Sequence, residues 1–267
     1  MRPAGARATR CWRRSDGHGR PVVLVHGTMD RSSSFGRAAK ALDGFRVTRY
    51  DRRGYAHSLT LGPPASFAQQ VDDLLDVVRT EADGRPALVF GHSYGGTIAL
   101  GAAERDPTVV AGVAVYECPL PWLEWWPRDS AGARAVASAD DPEAAGEAFM
   151  RRMVGDRRWE RLPPSTKEAR RAEGATLVAE IGQLRTPDAP PVDLAAISAP
   201  VIAAHGTAGV AHHERAAQEV ALRVPGASLE VVDGAGHGVH LTHPTAVAGF
   251  VRELAARARV DGAAPLR

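Results

Sequence analysis

Apolar runs of strand length, each followed by a glycine-containing turn and then a helix-forming stretch, set what this chain can become. Pro21–Val25 and Pro86–Phe90 are continuous apolar segments, and Pro200–Ala204 is a third. Runs without alternation suit strands buried on both faces, as in parallel sheets. Phe45–Tyr50, Val109–Tyr116 and Ser228–Val232 read as further strands. Helical patterns fall between them. Ser66 opens an amphipathic helix whose Val71, Leu74, Leu75 and Val78 repeat at i, i+3, i+4 and i+7. Ser32–Ser34 are placed to cap a helix through Phe35, Ala38, Ala39 and Leu42. Other helices are predicted over Tyr94–Arg105, from about His213 to Arg223, and from Pro244 to about Arg259. Strands alternating with helices predict an α/β fold with a mostly parallel sheet flanked by helices. Ala8–Arg14 reads as a short edge strand, residues 1–19 as loose at the start, and Val260–Arg267 as a frayed tail.

The rhythm stops after Glu117 and resumes near Ala199. The intervening residues 118–198 begin rich in Pro and Trp and continue as Ala/Arg/Glu-rich helical stretches such as Glu143–Met153 and Thr166–Ile181. They read as a helical cap inserted into a core formed by residues 1–117 and 199–267. Such a cap lies over the carboxyl ends of the strands, where open α/β sheets bind ligands.

The sharpest chemical signal is Gly91–His92–Ser93–Tyr94–Gly95, which joins an apolar strand to a helix. A serine on such a turn projects its hydroxyl from the top of the sheet. A side chain at Gly91 or Gly95 would collide where strand and helix close up. A serine hydroxyl needs a base to become a nucleophile. His237, in the Gly-rich loop after Ser228–Val232, is the best candidate. A carboxylate must then hold its tautomer. The developing oxyanion needs donors: the backbone N–H of Tyr94 is one, and the loop after His26–Gly27 supplies the other.

Composition excludes several classes. The 267 residues carry a net charge of only +2, and the cations are almost all arginine. The Arg pairs at 13–14, 52–53, 151–152 and 157–158 are not interleaved with aromatics, so they read as solvated surface rather than a nucleic-acid module. Cys11 and Cys118 form no disulfide framework, and no Cys/His spacing points to a metal. No segment approaches the ~20 apolar residues of a membrane span, and no signal-peptide pattern stands at the start. A cytoplasmic protein with no cofactor, no nucleic-acid or membrane partner, and a monomeric or homodimeric state is the expectation.

With these motifs the chain resembles the α/β-hydrolase superfamily over roughly residues 20–259. The matching elements are His26–Gly27, Asp51–Arg52–Arg53–Gly54, the Gly91–Gly95 elbow and Gly234–Ala235–Gly236–His237, in the family's order. The family's opening hairpin looks shortened here. The resemblance implies a Ser93–acid–His237 triad and an oxyanion hole from the backbone of Thr28 (alternatively Met29) and Tyr94. Most members carry the acid after the strand ending at His205, but Gly209 stands there. Some members, haloalkane dehalogenases among them, carry it one strand earlier, where this chain has Glu117 in Tyr116–Glu117–Cys118–Pro119. Glu214, on a predicted helix, is the alternative, and Asp233 lies too near His237 in sequence to orient it. Dehalogenase chemistry itself is not implied, since a serine would form an inert ether and Tyr94 stands where a halide-binding tryptophan would be.

The expectation is a serine hydrolase of carboxylic esters, lactones or thioesters. Alternatives are a carbon–carbon hydrolase, a tailoring enzyme of secondary metabolism, or a non-catalytic binding protein that lost its acid. Trp122, Trp125 and Trp126 open the cap and are candidates for the substrate pocket, with packing of the cap on the core as the equal alternative. His92, Tyr94, His212 and His213 lie close enough in sequence to the site to be weighed for substrate contact. Asp51 and Arg53 read as ties between loops, and His243, ahead of Pro244, as structural; His240 follows His237, and His205 lies near the vacated acid position.

Overall fold

A computed structural model describes residues 10–137, 141–185 and 189–260. The expected loose start over residues 1–9 and the tail over 261–267 lie outside the described residues. Seven strands form one sheet: β1 (Arg13–Asp16), β2 (Arg20–Val25), β3 (Phe45–Tyr50), β4 (Ala87–His92), β5 (Val110–Tyr116), β6 (Val201–Gly206) and β7 (Ser228–Val232). Their order is β1-β3-β2-β4-β5-β6-β7, and only β1 is antiparallel. The edge strand exists, but later than the sequence pattern placed it. Trp12 ahead of it stacks on His57, and Arg13 and Ser15 are held by Glu81.

Alternate residues of the apolar runs bury opposite faces. In β2, Val23 and Val25 pack with α2 (Phe67–Glu81), α3 (Tyr94–Arg105) and α9 (Ala211–Arg223) through Val71, Leu74, Ile98 and Val220. Val22 and Leu24 pack on the other face with α1 (Gly36–Lys40) and α11 (Pro244–Val260) through Ala38, Val247, Val251 and Leu254. That double burial explains the absence of polar alternation. Ser66 caps α2 by accepting the Gln69 N–H at 3.1 Å, a contact of the kind worth about 1 kcal/mol. The three serines at 32–34 do not cap α1. They lie inside a 3₁₀ turn, Ser32–Phe35, that precedes it.

The chain passes from β2 outward to β3, then returns to the other side of β2 as β4. Strand order therefore reverses between β2 and β4, and open α/β sheets bind ligands outside the carboxyl ends at such a point. Here those ends carry Gly27–Thr28 and Ser93.

Between β5 and β6 the described residues form five helices: α4 (Ala131–Ala137), α5 (Pro142–Val154), α6 (Asp156–Glu160), α7 (Pro164–Ala172) and α8 (Gly174–Gln183). The stretch Thr166–Ile181, expected as one helix, breaks at Glu173. Glu173 is buried and its carboxylate takes Arg31, Arg170 and the Ala56 N–H, each at 3.0 Å. A Cβ at Gly174 would run into the Pro142 carbonyl of α5, so only glycine lets the two helices approach. Phe149, Met150, Trp159 and Leu177 of the insertion cluster with Met29 and Tyr55 of the core loops.

Arg52 is a second correction, because it is not solvated surface, whereas Arg53 is the hydrogen-bonded tie that its other reading expects. Arg52 is fully buried and ion-paired with Glu180 of α8, while Arg53 forms a fork to Asp73 with both contacts at 2.8 Å. Asp51 ties loops as expected, accepting the N–H groups of Ser32 and His57. Cys11 and Cys118 are free and buried, and burial pushes both thiols up to about 12. Among the described residues no helix is long and apolar enough to cross a membrane.

Candidate active site

Ser93 sits between β4 and α3 with φ 53° and ψ −129°, a left-handed conformation that a side-chain-bearing residue rarely holds. Its N–H donates to the Tyr116 carbonyl at 2.9 Å and its carbonyl accepts the Gly96 N–H at 2.7 Å. The flanking glycines permit the turn. A Cβ on Gly91 would lie 2.5 Å from the Gly95 oxygen and the Gly96 Cα, and one on Gly95 would lie 2.5 Å from the His26 oxygen. Gly27 brings the neighbouring loop equally close, since a Cβ there would be 2.8 Å from the Ser93 Cβ.

Glu117 follows β5 directly, with a positive φ of 49°. Its N–H donates to the Ala204 carbonyl at 2.9 Å, so the turn is fastened to β6. The side chain is buried. Oε1 accepts the Gly206 N–H at 3.2 Å, and Oε2 accepts Nδ1–H of His237 at 2.6 Å. Oε2 also meets Nδ1 of His213, in the first turn of α9, at 3.0 Å. Burial works to raise the Glu117 carboxyl. The hydrogen bonds from His213 and His237 outweigh it and hold the group well below the usual carboxylate range. Glu117 is therefore an anion at neutral pH, and each imidazole must present Nδ1–H to it. His237 is thereby left in the tautomer whose Nε2 can accept a proton. Burial pulls His213 down to about 4, despite Glu117, so its ring is neutral.

The loop bearing His237 is fixed from behind. His92 donates Nε2–H to the His237 carbonyl at 2.7 Å, and Tyr116 donates its hydroxyl to the Gly236 carbonyl at 3.0 Å. Burial holds His92 well below the ordinary imidazole value, which leaves it neutral.

Ser93, Glu117 and His237 line a cavity of about 470 Å³ together with Thr28 and Tyr94. Tyr94 opens α3, where first-turn N–H groups have no partner within the helix. Its ring is buried, and its hydroxyl accepts a bond from Gln70 at 3.2 Å. Thr28 donates its hydroxyl to Glu180 of α8 at 2.9 Å. The insertion supplies the cavity's far wall, including Trp126, Phe149, Met153 and Ile181, with Arg134 and Arg152.

Trp126 lines the cavity, but Trp122 and Trp125 do not. Both are partly buried against the apolar core, and Arg215 lies 4.4 Å over the Trp125 ring. Glu214 is exposed on α9 and bonds Gln218, while Asp233 is exposed and holds Thr207. Neither touches His237. His213 is the residue whose contact the sequence left open. Its signal was a His–His pair opening the helix after the vacant acid position at Gly209.

Among the described residues, two groups place histidine and carboxylate ligand atoms within 4.8 Å of one another: Glu117, His213 and His237, and Asp30, His92 and His240. In the first the three side chains already satisfy one another by hydrogen bonds. In the second, Nε2 of His240 lies 3.3 Å from Asp30 and the His92 and His240 rings are 4.5 Å apart.

Comparison with known proteins agrees with this architecture. A search of curated proteins returns no match. Among solved structures, a thermophilic esterase from Thermogutta terrifontis superposes with a TM-score of 0.73 at 21% identity, covering 93% of each chain. The enol-lactonase from Burkholderia xenovorans LB400 gives 0.70 at 23%, covering 92% of this chain and 96% of that one. An alpha/beta hydrolase from Sphaerobacter thermophilus DSM 20745 gives 0.67 at 26%, covering 91% and 95%. The model of the alpha/beta hydrolase family matches residues 22–250. With that match spanning most of its length, the chain belongs to the alpha/beta hydrolase family.

Proposed function

We propose that the protein is a serine hydrolase of carboxylic esters or lactones, working through an acyl-enzyme beneath the helical insertion, which acts as a cap. Ser93 is the nucleophile, His237 the base and Glu117 the acid. The observation that carries this reading is the 2.6 Å bond from Nδ1 of His237 to a buried, ionised Glu117, beside a serine held in an elbow at φ 53°. In the cycle, the Ser93 hydroxyl adds to the ester carbonyl carbon while its proton passes to Nε2 of His237. The imidazolium is stabilised by Glu117, and the oxyanion by the backbone N–H groups of Thr28 and Tyr94. Collapse of the tetrahedral intermediate breaks the carbon–oxygen bond of the ester, and His237 returns the proton to the leaving alcohol. A water molecule then adds to the acyl group by the same route, releasing the acid and restoring Ser93.

The reading that the protein binds without catalysing rested on glycine at 209. It is weakened because the carboxylate of Glu117 reaches the same place from β5. The esterase and lactonase among the structural neighbours define the panel to screen, p-nitrophenyl esters and acyl lactones. Hydrolysis of p-nitrophenyl butyrate is expected to fall to background in Ser93→Ala, and a fluorophosphonate probe is expected to label Ser93. Folded protein that takes up no probe would overturn the proposal.

A further inference from the structure

Glu117 serves two imidazoles, and the proposed reaction uses only one. Nδ1 of His213 lies 3.0 Å from the same oxygen that accepts His237, and the two rings stack 4.7 Å apart with planes 20° from parallel. His213 is buried to 15% side-chain exposure and lines the cavity. Its place follows from the fold. Gly209 leaves open the space beyond β6, Glu117 fills it from β5, and α9 begins at Ala211 so that its first turn lies over the carboxylate.

We propose that His213 is a positioning residue for the triad: it donates Nδ1–H to Glu117 and so fixes the acid against His237. This rests on the proposed serine-hydrolase reading. A carboxylate oxygen has two lone-pair directions, and Oε2 uses them for two donors while Oε1 takes the Gly206 N–H. Glu117 thus has three donors and little freedom to turn. An acid displaced to a longer side chain on another strand has more torsions to control than an aspartate in the usual position. The third donor supplies that control. It also shares the carboxylate's charge, which tempers the pull of Glu117 on the proton of His237.

The groups facing this pair come from every packed element. His212 of α9 lies edge-on to His213 at 4.5 Å, and His92 of β4 lies 4.7 Å from His237. Tyr116 of β5 bonds the loop backbone, and Asp129 and Arg134 of the insertion line the same cavity.

The test compares His213→Phe, which keeps a stacking ring but no donor, with His213→Asn, whose amide N–H falls where Nδ1 was. In His213→Phe, kcat for p-nitrophenyl butyrate is expected to drop about tenfold with KM within twofold. The acid limb of the kcat/KM profile is expected to move up by about half a pH unit. His213→Asn is expected to recover most of both. An unchanged kcat and acid limb in His213→Phe would overturn the proposal, as would His213→Asn as impaired as His213→Phe. An activity-independent readout separates this from the hydrolase reading. Proton NMR of the ¹⁵N-labelled protein should show two downfield Nδ1–H signals assigned to His213 and His237, distinct from the Nε2–H signal of His92, and His213→Phe loses the first of the two. If the wild type cleaves no ester and Ser93 takes no probe, the hydrolase reading fails, while the two signals still decide whether His213 holds Glu117. No Nδ1–H signal from His213 in the wild type would overturn the His213 assignment.

Discussion

Gly209 and Glu117 share one small space. A Cβ at 209 would lie 2.5 Å from Oε1 of Glu117 and 3.4 Å from its Cδ. Glycine at 209 thus leaves room for the carboxylate proposed as the acid. Gly209→Ala is expected to push the carboxylate off His237 and cut ester turnover at least tenfold, with a circular dichroism spectrum like the wild type's. Full activity in Gly209→Ala would show that the carboxylate has room to shift. Glu117→Gln is expected to cost a hundredfold or more in kcat, toward the ~10⁴ of losing the triad acid in a serine protease. Adding Gly209→Asp cannot rescue that variant, since the amide that replaces the carboxylate still fills the space. Glu117→Ala with Gly209→Asp is the combination with room for a transferred acid, and it should be the more active double variant. Much of this was legible in the sequence. The order Ser93, Glu117, His237 and the vacancy at 209 point to Glu117 as the proposed acid without coordinates. What was hidden is the contact of His213, because its bond to Glu117 depends on the angle at which α9 leaves β6.

Elements built on short-range pattern were legible, and those fixed by distant partners were not. α2 could be read from Ser66 and its apolar period, whereas the fate of Arg52 could not, because Glu180 lies 128 residues away. That pair is the joint between α8 and the core. Arg52 also donates to the His26 and Gly27 carbonyls at 2.8 and 3.0 Å and to Gln70 at 2.5 Å. Glu180 further accepts the hydroxyls of Tyr55 at 2.8 Å and Thr28 at 2.9 Å. The insertion is therefore anchored through the loop proposed to hold the oxyanion. Removing one partner leaves a buried charge uncompensated, which costs about 3–5 kcal/mol. Glu180→Ala should lower the urea midpoint accordingly, and ester turnover should fall even where the protein remains folded, as the Thr28 loop loses its tie. A midpoint within experimental error of the wild type would place the anchoring elsewhere. The tryptophans illustrate the same limit. Their position at the start of the insertion left pocket lining and core packing equally open, and tertiary packing puts Trp122 and Trp125 against the core and leaves Trp126 facing the cavity.

At the scale of the whole molecule, the site's neutral histidines tie stability to pH. Burial, aided by the Arg52 charge, pulls His26 down to about 3; burial pulls His213 to about 4 and holds His92 well below its ordinary value. In an unfolded chain such imidazoles titrate near ~6.5. Folded-state values that are depressed give a stabilisation fully present above the unfolded value and lost as pH falls toward the folded one. Near pH 5 the unfolded chain therefore binds about two more protons than the folded one through His26 and His213, a slope of about 3 kcal/mol per pH unit, and His92 acts in the same direction. Asp30 and Glu117, both held well below the usual carboxylate range, add to the loss only once the pH drops below the ordinary carboxylate values. Since a domain's whole stability is about 5–15 kcal/mol, the urea midpoint should fall steeply between pH 6.5 and 5, and global unfolding should begin before the carboxylates titrate. Calorimetry near pH 5 should detect uptake of about two protons or more on unfolding. A midpoint constant from pH 7 to 5 would mean that these imidazoles are not held neutral. The acid limb of the proposed esterase activity is therefore to be read above about pH 6, with circular dichroism at each pH, so that protonation of the proposed base is not confused with loss of the fold that keeps His213 and His92 neutral around it.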